Sequence, residues 1–186
     1  MTDRYIDRAL WALIFLLSML CVATAEARDA TEDLALAFAR VTFNEALDSE
    51  ADQAMIWQVV SHHGSTDRQR LSWLRRHSPC VTGVLSQDRA YQRPGNCRWT
   101  RNLMPDGRRP RGWDRDLHGR WSWLRERWMA HYERAVEYVI GARRASVCAE
   151  TPVSWDGRRY GRARIEARGW RILECSDELR NYAVAR

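Results

Sequence analysis

The sequence predicts a mainly α-helical domain with a loop-rich middle and a short, disulfide-stapled C-terminal segment. Three observations carry this. Apolar residues recur at steps of three and four in four separate stretches, turn formers crowd residues 79–113, and two cysteines lie in the last forty residues. The first helix is expected over DLALAFARVTF, with Thr31 as its cap and Leu34, Phe38 and Val41 on one face. A second fits ADQAMIWQVVSHH, where Ala54, Trp57 and Val60 or Ser61 recur at helical spacing and Gly64 stops it. A third covers DRQRLSWLRRH and ends at Ser78-Pro79, because the residue before a proline is pushed out of the α region. Pro94-Gly95, Pro105-Asp106-Gly107 and Pro110 then mark turns. The strongest helix follows: Leu117, Trp121, Leu124, Trp128, Ala135 and Val139 step by three or four, and Gly141 ends it. Short extended pieces around Val153–Trp155 and Trp170–Leu173 read as a hairpin or packed loop.

The chain of 186 residues has a formal charge of +6, and all 30 of its basic residues are arginine. Without lysine there is no Walker-type phosphate loop, no Schiff-base nucleophile and no Ser–Lys dyad. An arginine-only set follows simply from a GC-rich genome; it also suits phosphate or carboxylate recognition, where the guanidinium fork outperforms an ammonium. Placement favours the second reading: residues 28–67 balance at −6 and residues 68–134, with sixteen arginines, at +10. Such an arrangement fits an acid-bearing site facing a positive wall, or two helices with oppositely charged solvent faces.

The N-terminus reads as an address. Arg4 and Arg8 precede an apolar run from Ala9 to Ala25, which ends in the small-residue sites Ala23-Thr24-Ala25 and Ala25-Glu26-Ala27. Basic flank, apolar core and small-residue exit make residues 1–27 a secretory signal peptide, or an uncleaved anchor, ahead of a single domain over 28–186. Leu20 before Cys21 argues against a lipoprotein. A periplasmic or secreted location is expected, with any membrane contact made only through an uncleaved N-terminal segment. Export places Cys80, Cys97, Cys148 and Cys175 in an oxidising compartment, where an even count implies two disulfides. Neighbour pairing, Cys80–Cys97 and Cys148–Cys175, is the expected one of the three possible, each worth about 3–3.5 kcal/mol in the chain-entropy view.

No HExxH and no Cys/His cluster is present, and the adjacent His62-His63 point about 100° apart on a helix, so no metal or other cofactor is expected. No GxSxG elbow supports a serine hydrolase. Glu45 is the most informative carboxylate. It ends an apolar helix between Phe43 and Ala46, a setting that raises a carboxyl pKa and suits a general acid. Asp48 and Glu50 follow in an acidic turn and are the possible second carboxylate.

The stretch FARVTFNEALDSEADQAMIWQVVSHHG, residues 38–64, resembles the start of the spore-cortex-lytic, cell-wall hydrolase family within the lysozyme-like enzymes. The resemblance implies a lysozyme-like helical domain with Glu45 at the catalytic-acid position. It departs where the family has Gly-Glu after the motif and this chain has Asp48-Ser49, and where Asn-Arg becomes His62-His63. Downstream, Leu103-Met104 is similar to the Gly-Leu-Met segment lining the cleft of lytic transglycosylases, with Asn102 replacing the glycine. Beside it Trp99 is placed to stack on a sugar, and Arg101 and Asn102 to bond N-acetyl groups or peptide carboxylates.

These features point to a monomeric, exported enzyme that cleaves peptidoglycan, as a glycosidase or a lytic transglycosylase using one glutamate. The alternative is a noncatalytic envelope protein binding peptidoglycan or another anionic glycan through an Arg/Trp-rich surface. Trp123 lies off the core stripe of its helix and is expected to be exposed. Exposed Trp and Arg also suit single-stranded nucleic acid, but export argues against it as the main partner.

Overall fold

A computed structural model describes residues 3–46, 49–78, 81, 100–111, 113, 120–157 and 161–186. Its elements are α1 (Asp3–Glu45), α2 (Glu50–His62), α3 (Asp67–His77), a 3-10 turn (Thr100–Asn102), α4 (Trp121–Val139), β1 (Ser154–Gly157), α5 (Arg162–Glu166), β2 (Arg171–Ile172) and β3 (Asn181–Ala185). The protein is mainly helical with one small three-stranded sheet.

Helix α1 runs through the point where a cap was expected. No glycine or proline occurs between Asp3 and Glu45, and Ala25, Ala27 and Ala30 favour continuation, so nothing in the chain stops the helix there. Thr31 therefore lies inside α1, and its hydroxyl donates to Asp67 Oδ2 at 2.9 Å instead. The two halves of α1 differ sharply in surroundings. Trp11, Leu13, Phe15, Leu16 and Met19 are exposed, whereas Leu34, Phe38 and Val41 are fully buried. Among the described residues no helix is long and apolar enough to cross a membrane.

The buried half of α1 is the centre of the fold. Ala35, Ala37 and Ala39 keep its surface small, so α3, α4 and the 3-10 turn pack close around it. Phe38 sets its ring edge-on to Trp57 of α2 (5.0 Å) and Tyr138 of α4 (5.9 Å), while Phe43 meets Trp128 (5.8 Å) and His131 (5.4 Å). Edge-to-face pairs of this kind add to the burial of the rings themselves. On α4, Leu124, Trp128, Ala135 and Val139 of the expected stripe are buried, Trp121 is only half-buried at the first turn, and Leu117 lies outside the described residues; His131 and Tyr138 join the buried face.

Helix α2 departs from a simple stripe. Asp52 through Trp57, with Val59 and Val60, are all buried, because core lies on more than one side. Ser49 caps it, accepting from the Asp52 amide. Helix α3 spans the expected residues, and Thr66 with Gln69 forms a capping box that fixes its start.

The tail folds differently from a hairpin. The extended pieces at 154–157 and 171–172 do not pair with each other; β3 lies between them, antiparallel to both, in the order β1-β3-β2. The Cys148–Cys175 disulfide staples the segment across an antiparallel bridge. The expected Cys80–Cys97 pair lies outside the described residues.

Candidate functional site

The site begins where α1 ends and α2 starts. Glu45 is half-buried in the last turn of α1. Its main-chain carbonyl, one of the carbonyls a helix end leaves without an internal partner, accepts from Asn181 Nδ2 at 2.9 Å. The same Asn181 amide donates to Asp52 Oδ1 at 3.1 Å. Asp52 is fully buried and also accepts from the backbone N–H of Arg180 and of Asn181, each at 2.9 Å. The C-terminal strand is thus clamped onto the α1–α2 corner through one buried carboxylate, and the clamp holds Glu45's backbone.

A second set of bonds brings the 100–104 segment alongside α1. Asn44 Nδ2 donates to Thr100 Oγ1 at 3.0 Å. Arg40 donates through Nε (3.1 Å) and Nη2 (2.8 Å) to the Leu103 carbonyl. Burial pulls the Arg40 guanidinium below its ordinary value, with Asp33 opposing the shift. Trp128 Nε1 donates to the Met104 carbonyl at 2.8 Å, so α4 grips the segment from its other side. Gly107 closes the turn with φ 64; a Cβ there would meet Met129 Sδ at 2.8 Å.

A polar string crosses the core beneath this corner. Gln53 Nε2 pairs with His131 Nδ1 and lies 3.4 Å from Thr42 Oγ1, and Arg134 Nε donates to Gln53 Oε1 at 2.6 Å. Arg134 also pairs with Glu50 (3.4 Å), which pairs with Arg143 as well (3.3 Å). Glu137 raises Arg143 above its ordinary value through a 2.8 Å ion pair. On the same edge of α4, Arg127 stands over the rings of Phe43 (5.5 Å) and Trp123 (6.0 Å). Trp123 is 65% exposed.

The structure therefore brings Glu45, Arg101 and Asn102 to one end of the bundle, on neighbouring elements. Arg101 is exposed; the Asn102 side-chain amide is spent on the Arg111 carbonyl at 2.8 Å. Glu50 is an exposed carboxylate between two arginines. Asp48 and Trp99 lie outside the described residues. Asp52, Asn181, Arg40, Asn44 and Arg134 were not singled out for these roles by the sequence, although an aspartate in an otherwise apolar helical stretch is a visible signal that a buried partner exists. His62 and His63 do not share a ligand: His63 Nε2 bonds the Val153 carbonyl at 2.7 Å while its ring stacks on Trp73 at 4.3 Å. Among the described residues no group of three or more His, Cys, Asp or Glu is arranged to hold a metal.

Comparison with protein-family models, curated proteins and solved structures finds no match for this chain.

Proposed function

We propose that the protein is an exported peptidoglycan-cleaving enzyme of lysozyme-like type, with Glu45 as the general acid. The observation that carries this is the corner itself. A half-buried glutamate ends a buried helix, its backbone is held by Asn181, and the 100–104 segment is pinned beside it by Asn44 and Arg40. A general acid needs a fixed backbone and a partly desolvated carboxyl, and both are supported here. Trp123 and Arg127, on the α4 edge that continues to Arg134, offer an aromatic face and a cation to a glycan at the same end.

Glu45 would give its proton to the glycosidic oxygen between muramyl and glucosaminyl residues. The departing sugar leaves an oxocarbenium-like centre. Asp52 is consumed by its three donors, and Glu50 is held between Arg134 and Arg143, so neither supports a water-activating or nucleophilic role. Closure by the muramyl 6-hydroxyl, whose proton returns to Glu45, then gives an anhydro product; Asp48, outside the described residues, is the carboxylate that would instead hold a water for hydrolysis. The test is Glu45→Gln on purified sacculi. Wild type should release muropeptides with anhydro ends by mass, and the variant should release none while still binding. Lysis by Glu45→Gln would remove Glu45 as the acid. Binding without lysis by wild type would instead establish the noncatalytic glycan-binding protein.

A further inference from the structure

Two adjoining depressions open along α2, away from its start. One has a volume of about 730 Å³ and the other about 680 Å³, and Ser61, His62 and Arg70 belong to both. The Trp57 and Tyr138 rings lie 6.1 Å apart and form the base of the larger one, Arg70 stands over the Trp57 ring at 5.6 Å, and Arg143 over the Tyr138 ring at 5.8 Å. Arg70 is fixed by its Nε bond to the Gly64 carbonyl and its Nη1 bond to Asp67, and Arg143 by Glu137 and Glu50. Each guanidinium thus uses Nε and Nη1 on its own anchors, which holds its plane over the ring beneath it. Exposed Arg144 adds a cation to the larger depression and exposed Arg76 to the smaller. Among the described residues neither Arg76 nor Arg144 makes an ion pair, and no carboxylate lines either depression.

We infer that this arginine-walled groove binds the carboxylates of the peptide stem carried by peptidoglycan. This rests on the proposed substrate, and geometry ties it to the same site. Arg143 joins the groove to Glu50 at the first turn of α2. Trp57 is seven residues further along α2 and His62 twelve, or about 10 and 18 Å at the helical rise. An extended tetrapeptide spans about 13–14 Å, so a stem hanging from a sugar near the α1–α2 corner reaches the groove. Preset guanidiniums on aromatic rings suit planar carboxylates, and the groove volume is that of a small-ligand site.

The probe is the free stem tetrapeptide, L-alanyl-γ-D-glutamyl-meso-diaminopimelyl-D-alanine, titrated into the full chain by calorimetry. Wild type and Glu45→Gln should bind it equally, with affinity falling as salt rises. The exposed-site double variant Arg76→Glu/Arg144→Glu should bind at least tenfold more weakly, and the Arg76→Lys/Arg144→Lys pair should retain most of the affinity. Wild type should also show a lower KM for peptide-bearing strands than for strands stripped by an amidase. No heat at millimolar peptide, equal binding by the double Glu variant, or tighter binding of a short oligonucleotide than of the peptide would each overturn the inference. Sacculus cleavage without peptide binding sinks the groove alone; peptide binding without cleavage sinks only the enzymatic reading.

Discussion

Asp52→Ala is the sharpest test of how the site is held. The side chain is fully buried and accepts three hydrogen bonds, from the backbone N–H groups of Arg180 and Asn181 and from Asn181 Nδ2. Truncation leaves the buried Asn181 N–H without an acceptor, which costs about 1–3 kcal/mol, while the part-buried Arg180 N–H turns to water and costs less. The third donor keeps the Glu45 carbonyl as an alternative and adds less. Removing the stem of Asp52 also opens a small cavity. The total is about 2–5 kcal/mol, a large share of the 5–15 kcal/mol typical of a folded domain. At about 2–4 °C per kcal/mol for a chain of this size, the melting temperature should fall by roughly 4–20 °C. Chemical denaturation followed by tryptophan fluorescence gives the free energy, and amide exchange at Arg180 and Asn181 gives the local effect. Asn181→Ala should cost less than Asp52→Ala, and the two changes should couple in a double-mutant cycle by at least 0.5 kcal/mol, since they share bonds. A loss under 1 kcal/mol for Asp52→Ala, with unchanged exchange at residues 180 and 181, would refute the clamp.

Trp128→Ala, which empties a fully buried indole site, should destabilise by about 3–5 kcal/mol, whereas Trp123→Ala should stay within about 0.5 kcal/mol yet weaken sacculus binding. Equal thermal shifts for the two would contradict their assigned burial. Cys148→Ser opens a loop with a separation of 27 residues and should cost about 3–3.5 kcal/mol in the chain-entropy view, read as a lowered denaturation midpoint under oxidising conditions; an unchanged midpoint would refute the staple. Glu150 is hydrogen-bonded to Arg171, which holds its carboxyl below the ordinary range. Its folded value being depressed, that contribution is present at neutral pH and fades as pH falls through the carboxylate range. Melting curves of wild type and Glu150→Gln should therefore separate slightly near pH 7, less so in high salt, and converge in acid. A separation that grows in acid would reverse the sign.

The helices were legible because their signals are local. The steps Leu34–Phe38–Val41 and Leu124–Trp128–Ala135–Val139 identify buried faces from spacing alone, and Ser78-Pro79 ends α3 by a steric rule between neighbours. Thr31 shows the limit of such signals. A good capping residue does not start a helix when the alanine-rich sequence before it sustains one. β3 was missed because NYAVA is five residues long and buried on both faces, so it shows no inside–outside alternation. The Cys148–Cys175 bridge was expected as a neighbour pair and is present.

The sequence by itself determined which residue types are present and where: a glutamate expected at a helix end, arginine and no lysine, and hence no lysine-dependent catalysis. Only the tertiary structure decided what those residues touch. Asp52 looks no different from Glu50 in the sequence, yet one is buried under strand β3 and the other stands exposed between Arg134 and Arg143. Arg40 and Arg144 are likewise the same residue type; one is turned inward to hold the Leu103 carbonyl and the other borders an open groove. A carboxylate or guanidinium takes its role from what surrounds it, and those surroundings come from segments more than sixty residues away in the chain, set by long-range packing.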